Sequence, residues 1–242
     1  MHVLNWESGL PNFKEKGDLV KIEYIYHSGY MVETDDALLI FDYYKGGLPE
    51  SIDNYGKKVI FFVSHSHPDH FNPEIYDHKG IFVVSSEVPV PADINAYRVD
   101  PGDHITIGDI NIRVLGSTDA GVSFLVRTER TNLFHAGDLN YWHWKEESTP
   151  EEIADAKKSY LSELSGLAEA SVDVAMFPVD PRMGKDFDEG ARMFVSLIRP
   201  EIFLPMHFGD HPERLIVFRT WLKDFQQTKG LFPQKNHERF EI

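Results

Sequence analysis

The sequence predicts an α/β fold made of two β-sheets with helices on their outer faces. Two observations carry this expectation. Short β-rich, often alternating segments account for most of the chain to residue 138, and beyond that point strand-like and helix-like segments take turns. Strands are expected at 19–27 (LVKIEYIYH), 37–44 (ALLIFDYY), 58–65 (KVIFFVSH) and 80–86 (GIFVVSS), then through 104–117, at 121–128 and at 131–138, with tight Gly, Asp and Asn turns between them. The first helix is expected to open at Thr149, which can cap, with Pro150 at the first helical position and Glu152 closing a capping box. Ile153, Ala156, Tyr160, Leu161, Leu164, Leu167 and Ala168 recur at helical spacing, so one face of it packs on a sheet. A strand at 172–179, a helix around 188–198, a short strand at 201–207 and a helix from about Pro212 to Gln227 complete the order. No linker, repeat or low-complexity stretch divides the chain, so residues 1–242 are expected to form one domain. The strand-loop-helix order of the second half weakly echoes the first.

The chain has 39 acidic and 24 basic residues, a net charge of −15, and no cysteine. That charge repels polyanions and argues against nucleic-acid partners. The missing cysteines exclude disulfides, thiolate nucleophiles and thiolate zinc sites, so any metal must be held by histidine and carboxylates. No segment approaches the roughly 20 apolar residues of a membrane span, and the opening MHVLNWESGLPNF lacks the regions of a signal peptide. A cytoplasmic location without membrane association is the expectation.

The stretch FFVSHSHPDHFN places three histidines and an aspartate directly after an apolar run. Alternate side chains of an extended segment point the same way, so His65 and His67 can face one point while Asp69 and His70, beyond Pro68, turn towards a second. Two imidazoles on one cation and a carboxylate with an imidazole on another is the economical reading. Asp138 ends a strand in HAGD and His207 ends another in PMH, and both are candidate ligands, Asp138 as a carboxylate shared by two cations.

HSHPDH resembles the H-x-H-x-D-H pattern of the metallo-β-lactamase superfamily of metal-dependent hydrolases. LLIFDYY, HAGDLN and PMHFGDH resemble, in order, three further motifs of that superfamily. The resemblance runs from residue 20 to about 210 and implies a four-layer αββα sandwich with metals at one edge of the paired sheets. It also implies that Asp42 braces the metal loop, that Asp138 bridges, and that His207 is the last ligand. The superfamily usually has a further histidine before the bridging aspartate, and this chain has none there. In LGSTDAGVSF, Asp119 precedes Ser123 by the spacing at which that histidine precedes a serine or glycine, so Asp119 is expected to take its place. A carboxylate there hardens the ligand set. The expected cofactors are two divalent metal ions, zinc first, with manganese or iron as alternatives. One ion would be held by His65, His67 and Asp119, the other by Asp69, His70 and His207.

Arg182, Lys185, His143 and His27 are the candidate substrate-binding residues. The two cations could clamp a carboxylate or phosphate. Trp142 and Trp144 could wall a pocket or pack their loop down, a choice left open here. His135 is expected to be buried and structural, and His211 to be a loop histidine. Water held between two divalent cations ionises near neutral pH, so Asp138 as bridge and Asp69 as ligand or proton-handling group make up the expected catalytic pair. Within the superfamily the chain looks most similar to the L-ascorbate-6-phosphate lactonase-like bacterial hydrolases. That implies cleavage of a lactone, ester or phosphoester in a small anionic substrate. The alternatives are a phosphodiesterase or nuclease, against which the negative charge speaks, and a non-catalytic metal- or ligand-binding member. No partner protein or oligomeric state is legible.

Overall fold

The structure is a computed structural model that describes residues 20–242; the opening segment and Leu19, at the head of the first expected strand, lie outside the described residues. In chain order the elements are β1 (Lys21–Tyr26), β2 (Gly29–Glu33), β3 (Ala37–Phe41), β4 (Lys58–Val63), β5 (Ile81–Ser85), β6 (Ala96–Val99), β7 (His104–Ile107), β8 (Ile110–Leu115), β9 (Ser123–Arg127) and β10 (Asn132–His135). There follow α1 (Pro150–Ser165), β11 (Val174–Pro178), α2 (Glu189–Ile198), β12 (Ile202–Met206), α3 (Ile216–Leu222), β13 (Lys229–Gly230) and β14 (Glu238–Glu241).

The strands form two seven-stranded sheets, ordered β14-β1-β2-β3-β4-β5-β6 and β13-β12-β11-β10-β9-β8-β7. Each begins as an antiparallel meander and continues as a parallel ladder, which starts at β3–β4 in the first and at β10–β11 in the second. That repetition is the physical content of the weak internal echo in the sequence. Period-two alternation sorts the side chains of β3: Leu39 and Phe41 join the main core, Leu38 and Ile40 the outer one. Phe62 stacks on Phe41 at 4.7 Å and meets Phe124 of the opposite sheet edge-on at 5.3 Å, closing the sandwich.

The α-helices cover the second sheet. The Thr149 hydroxyl accepts from the Glu152 N–H and the Glu152 carboxylate accepts from the Thr149 N–H, as the capping box requires. Tyr160 and Leu164 of α1 are buried, whereas Leu161 is 39 % exposed and leaves the expected stripe. Phe194 of α2 stacks on Phe177, and Phe218 of α3 packs on Phe203. The two sheets pack as the expected α/β sandwich, with the thinner outer layer on the first sheet. Among the described residues its outer layer is made by loops and two short 3-10 turns, Ile52–Asn54 and Pro73–Asp77, which bury Ile52, Ile75 and Tyr76. The helix expected from Pro212 to Gln227 divides into a 3-10 turn, Pro212–Leu215, and the shorter α3. Among the described residues no helix is long and apolar enough to cross a membrane.

Parallel strands deliver their carboxyl ends to one edge, where open α/β sheets gather functional loops. The residues that follow β1, β3, β4, β10, β11 and β12 are His27, Asp42, the HSHPDH loop, Asp138, Asp180 and His207.

Candidate metal centre

Two tight glycine turns seat the HSHPDH loop. Gly121 and Gly137 have φ of 64° and 53°, and a Cβ on Gly121 would overlap the Ser64 carbonyl oxygen while one on Gly137 would come within 2.8 Å of the Ser64 Cβ. Three site residues also occupy the left-handed region that non-glycine residues avoid: His27 at 55°, Asp42 at 41° and His207 at 64°. Their side chains are aimed at the cost of backbone strain, and the hydrogen bonds around them fix the result.

Asp42 is fully buried. Its carboxylate accepts from the Ser64 N–H at 2.7 Å, from the Ser64 hydroxyl at 2.6 Å and from Nδ1 of His70 at 2.7 Å. His70 therefore carries its proton on Nδ1 and turns the Nε2 lone pair inward. His65 Nδ1 lies 2.9 Å from the Ser64 hydroxyl, so its Nε2 is presented the same way. Asp180, also fully buried, faces His207 Nδ1 at 3.6 Å. The bracing role expected of Asp42 is what this geometry shows.

The inward atoms converge on Asp138. Its Oδ1 lies 3.0 Å from His207 Nε2 and 3.1 Å from His70 Nε2, and its Oδ2 lies 3.3 Å from His65 Nε2. Yet none of these three nitrogens, nor Asp138 Oδ1, nor His27 Nε2, has a hydrogen-bond partner, although all are buried. Five unpartnered buried polar atoms would cost about 1–3 kcal/mol each if nothing joined them. Lone pairs that face one another at 3.0–3.3 Å are what ligands of a common cation look like, since donors about 2.0–2.2 Å from an ion stand at such separations. The residues present fit a metal.

Three sets of ligand atoms lie within 4.8 Å of one another: His65, His70 and Asp138; His67, Asp119 and Asp138; and His27, His70 and His207. The structure thus brings Asp119 to His67 and Asp138, as its proposed substitution for histidine requires. It departs from the expected grouping of Asp69 with His70 and His207, because none of these sets among the described residues includes Asp69 and His27 occupies that place. Asp69 instead lines a cavity and faces His27 Nε2 at 3.5 Å.

Burial alone would raise the Asp138 carboxyl, but the imidazoles of His207 and His70 outweigh it and hold it well below the usual carboxylate range. For His70 burial opposes the charge, and Asp138 with Asp42 overcomes it, pushing the ring to about 10, so the Nε2 position facing Asp138 favours a positive charge, whether a proton or a metal ion in its place. Burial, with His207 beside it, pulls His27 down to about 4, so that ring is neutral. The concentration of carboxylate around partnerless nitrogens is an electrostatic demand for a cation.

Above the cluster a cavity of about 310 Å³ is lined by His67, Asp69, Thr118, Asp119, Asp138, Trp142, Trp144, Arg182 and His207. Trp142 and Trp144 are near-parallel with ring centres 6.3 Å apart, and Trp142 Nε1 donates to the Asp138 carbonyl at 2.7 Å. Both alternatives open in the sequence hold together: the pair walls the pocket while Trp142 ties its own loop down. Arg182 lines the cavity and donates through Nε to both carboxylate oxygens of Asp180, at 3.0 and 2.9 Å.

Three sequence expectations are corrected. His143 is buried with both ring nitrogens engaged, Nε2 with the Asp186 carbonyl at 3.0 Å and Nδ1 with the Lys145 N–H at 3.2 Å, and it does not line the cavity. Lys185 is exposed outside the cavity. His27 lies beneath the cavity among the ligand nitrogens, and is not on its wall. His135 is structural as expected, bonded to the Ser28 carbonyl at 2.9 Å, and His211 is an exposed loop residue paired with Glu213 at 3.1 Å. Asp180 went unassigned in the sequence, and its signal was an aspartate at a strand end beside the strand that ends in His207.

The family profile described as Beta-lactamase superfamily domain matches residues 21–156, more than half of the chain. A UPF0173 metal-dependent hydrolase of Alkaliphilus metalliredigens is 21% identical over 214 residues, covering 80% of this chain and 87% of its own length. The solved structure of Igni18, described as a novel metallo hydrolase from Ignicoccus hospitalis, superposes with a TM-score of 0.67 at 16% identity over 93% of this chain and 98% of that one. CmlA, a diiron beta-hydroxylase from Streptomyces venezuelae, superposes with a TM-score of 0.61 at 14% identity, covering 95% of this chain and 54% of its own.

Proposed function

Because the chain belongs to the beta-lactamase superfamily and is a metal-dependent hydrolase of it, we propose that it cleaves a lactone, ester or phosphoester bond in a small anionic molecule. The observation that carries this reading is the cavity itself, with ligand atoms on its floor and an anchored guanidinium on its wall. His65, His67, Asp119 and Asp138 would hold one divalent cation, and His70, His207 and Asp138 the other, zinc being favoured and manganese or iron accommodated by the carboxylate-rich set. When bound, such cations act as Lewis acids on the bond under attack and make water acidic enough to be a nucleophile near neutral pH.

The residues of the chain do the rest. Asp42 holds the His70 tautomer so that its Nε2 faces inward without reorganisation, and Asp180 stands 3.6 Å from His207 Nδ1. Trp142 and Trp144 shield one side from water and present an apolar wall. Arg182 is braced by Asp180 yet its side chain is 58% exposed, so it can meet an anionic substituent and set the scissile bond over the floor. Asp69, half-buried at the rim, is placed to accept or return a proton at the substrate. The net charge of −15 disfavours polyanions, so a small molecule is the substrate class.

Kinetics on a panel of anionic and neutral lactones, esters and phosphoesters test this. The metal-loaded protein is expected to turn over anionic members. Arg182→Ala is expected to raise their KM roughly 10- to 100-fold, the scale of a charge-assisted hydrogen bond, with little change for neutral analogues. Equal losses on both classes, or no turnover of any class by loaded protein, would contradict the assignment.

A further inference from the structure

We propose that Thr118 is the positioning residue for Asp119: its hydroxyl holds the loop that carries this carboxylate against the loop that carries Asp138, so that both face one cation. The inference rests on the metal-centre reading above and adds to it how the carboxylate standing in for a histidine is aimed.

A histidine ligand is aimed through its second ring nitrogen, and His65, His70 and His207 have Ser64, Asp42 and Asp180 beside theirs. Among the described residues no side chain hydrogen-bonds the Asp119 carboxylate, and the residue's own N–H makes only a long contact to Ser117 Oγ at 3.4 Å. Its placement is therefore set by the main chain on either side.

Both flanks are pinned. After Asp119, the left-handed Gly121 turn brings the Val122 N–H to the Ser64 carbonyl at 3.0 Å, which fastens the segment to the HSHPDH loop. Before it, Thr118 reaches across to Asn140. Its hydroxyl donates to the Asn140 carbonyl at 2.6 Å and accepts from the Asn140 N–H at 2.9 Å, the two bonds of an antiparallel pair made by one side chain. The Asp138 carbonyl stands 3.4 Å from the same oxygen. The anchor is firm, because Asn140 is 1% exposed and its Oδ1 would overlap a Cβ on Gly190. Asp119 is thus strung between the loops of His65 and Asp138, with ligand atoms of His67 and Asp138 within 4.8 Å of its own.

The competing explanation is a threonine that only closes its own turn. Such a hydroxyl bonds the backbone two to four residues away. Thr118 lines the cavity, yet its two short bonds go to a main chain 22 residues distant, in the loop that follows the bridging carboxylate.

The test titrates cobalt(II) into the metal-free, full-length protein and reads bound metal and visible absorption, neither of which needs turnover. Thr118→Val keeps the shape and removes the hydroxyl, and thermal melting confirms that it folds. Thr118→Ala, which leaves room for water at the Asn140 main chain, replaces it if it does not. Expected is one equivalent bound as in the wild type and the other weakened about 10- to 100-fold, the range for loss of a ligand's outer partner. Thr118→Ser, which keeps the hydroxyl, is expected to restore most of that loss. In an Asp119→Ala background, adding Thr118→Val is expected to change nothing further, since a residue acting through Asp119 then has nothing to position. Two equivalents of wild-type affinity in the folded hydroxyl-free variant, equal weakening of both, a serine variant no better than valine, or a further loss in the Asp119→Ala background each overturns the positioning role alone. A wild type that takes up no cobalt overturns the metal-centre reading beneath it.

Discussion

Asp138→Ala is expected to abolish the proposed two-cation centre and to lower turnover by roughly 10³-fold or more, beyond the loss of a single preorganised electrostatic contact. Its carboxylate lies within 3.3 Å of three inward imidazoles, with His70 and His207 on Oδ1 and His65 on Oδ2. Its removal leaves the imidazole nitrogens without the shared anion that would offset the charge of two neighbouring cations. Its backbone carbonyl still accepts from Trp142 Nε1, so the loop keeps its anchor and the fold is retained. Metal content and kcat measured on the same folded preparation check this. A variant that keeps its metal and more than about a tenth of its turnover would show that Asp138 is not the hub.

The largest stability effect is expected at Asp42, where no substrate reaches. Asp42→Ala removes a fully buried acceptor of three hydrogen bonds and strands the Ser64 N–H, the Ser64 hydroxyl and His70 Nδ1 in a dry interior. Breaking a buried charged pair from one side costs about 3–5 kcal/mol. It also frees the His70 tautomer, and loss of such an outer partner weakens metal binding by about 10- to 100-fold. Denaturant unfolding of the metal-free protein isolates the first effect, and metal titration of the folded variant isolates the second. Asp42→Asn should recover part of the stability, because its side-chain oxygen can still accept from Ser64. Wild-type stability in the alanine variant would remove Asp42 from its bracing role.

How much of this was legible follows from what each signal measures. The HSHPDH loop, Asp138 and His207 stand out because titratable groups at the ends of apolar runs have few structural uses, and the structure brings their nitrogens and oxygens together. Asp119 was legible only through the absence of a histidine at its place. The partners of the metal ligands were harder. Asp180 is an ordinary strand-end aspartate until β11 and β12 are known to be parallel neighbours, and only that pairing brings it beside His207.

His27 misled for the same reason in reverse. It lies 180 residues before His207 in sequence, and a main-chain bond between sheets joins them. His143 read as a pocket residue because it stands between two tryptophans that do line the cavity, but strong turns after Asp138 rotate it inward to the Asp186 carbonyl. On the fold side, β2 and β6 were not expected, and β13 and β14 escaped notice because two residues and a charged ERFE segment carry no clear alternation. The fold does not by itself fix the reaction: a diiron hydroxylase shares it at a TM-score of 0.61.

The measurement closest to the central claim is elemental analysis of the purified protein beside its Asp119→Ala variant. About two divalent cations per chain, falling to about one when Asp119 is removed, is the predicted result for a site with ligands divided across the Asp138 carboxylate. No bound metal in either protein, even after incubation with zinc, manganese or iron, would contradict it.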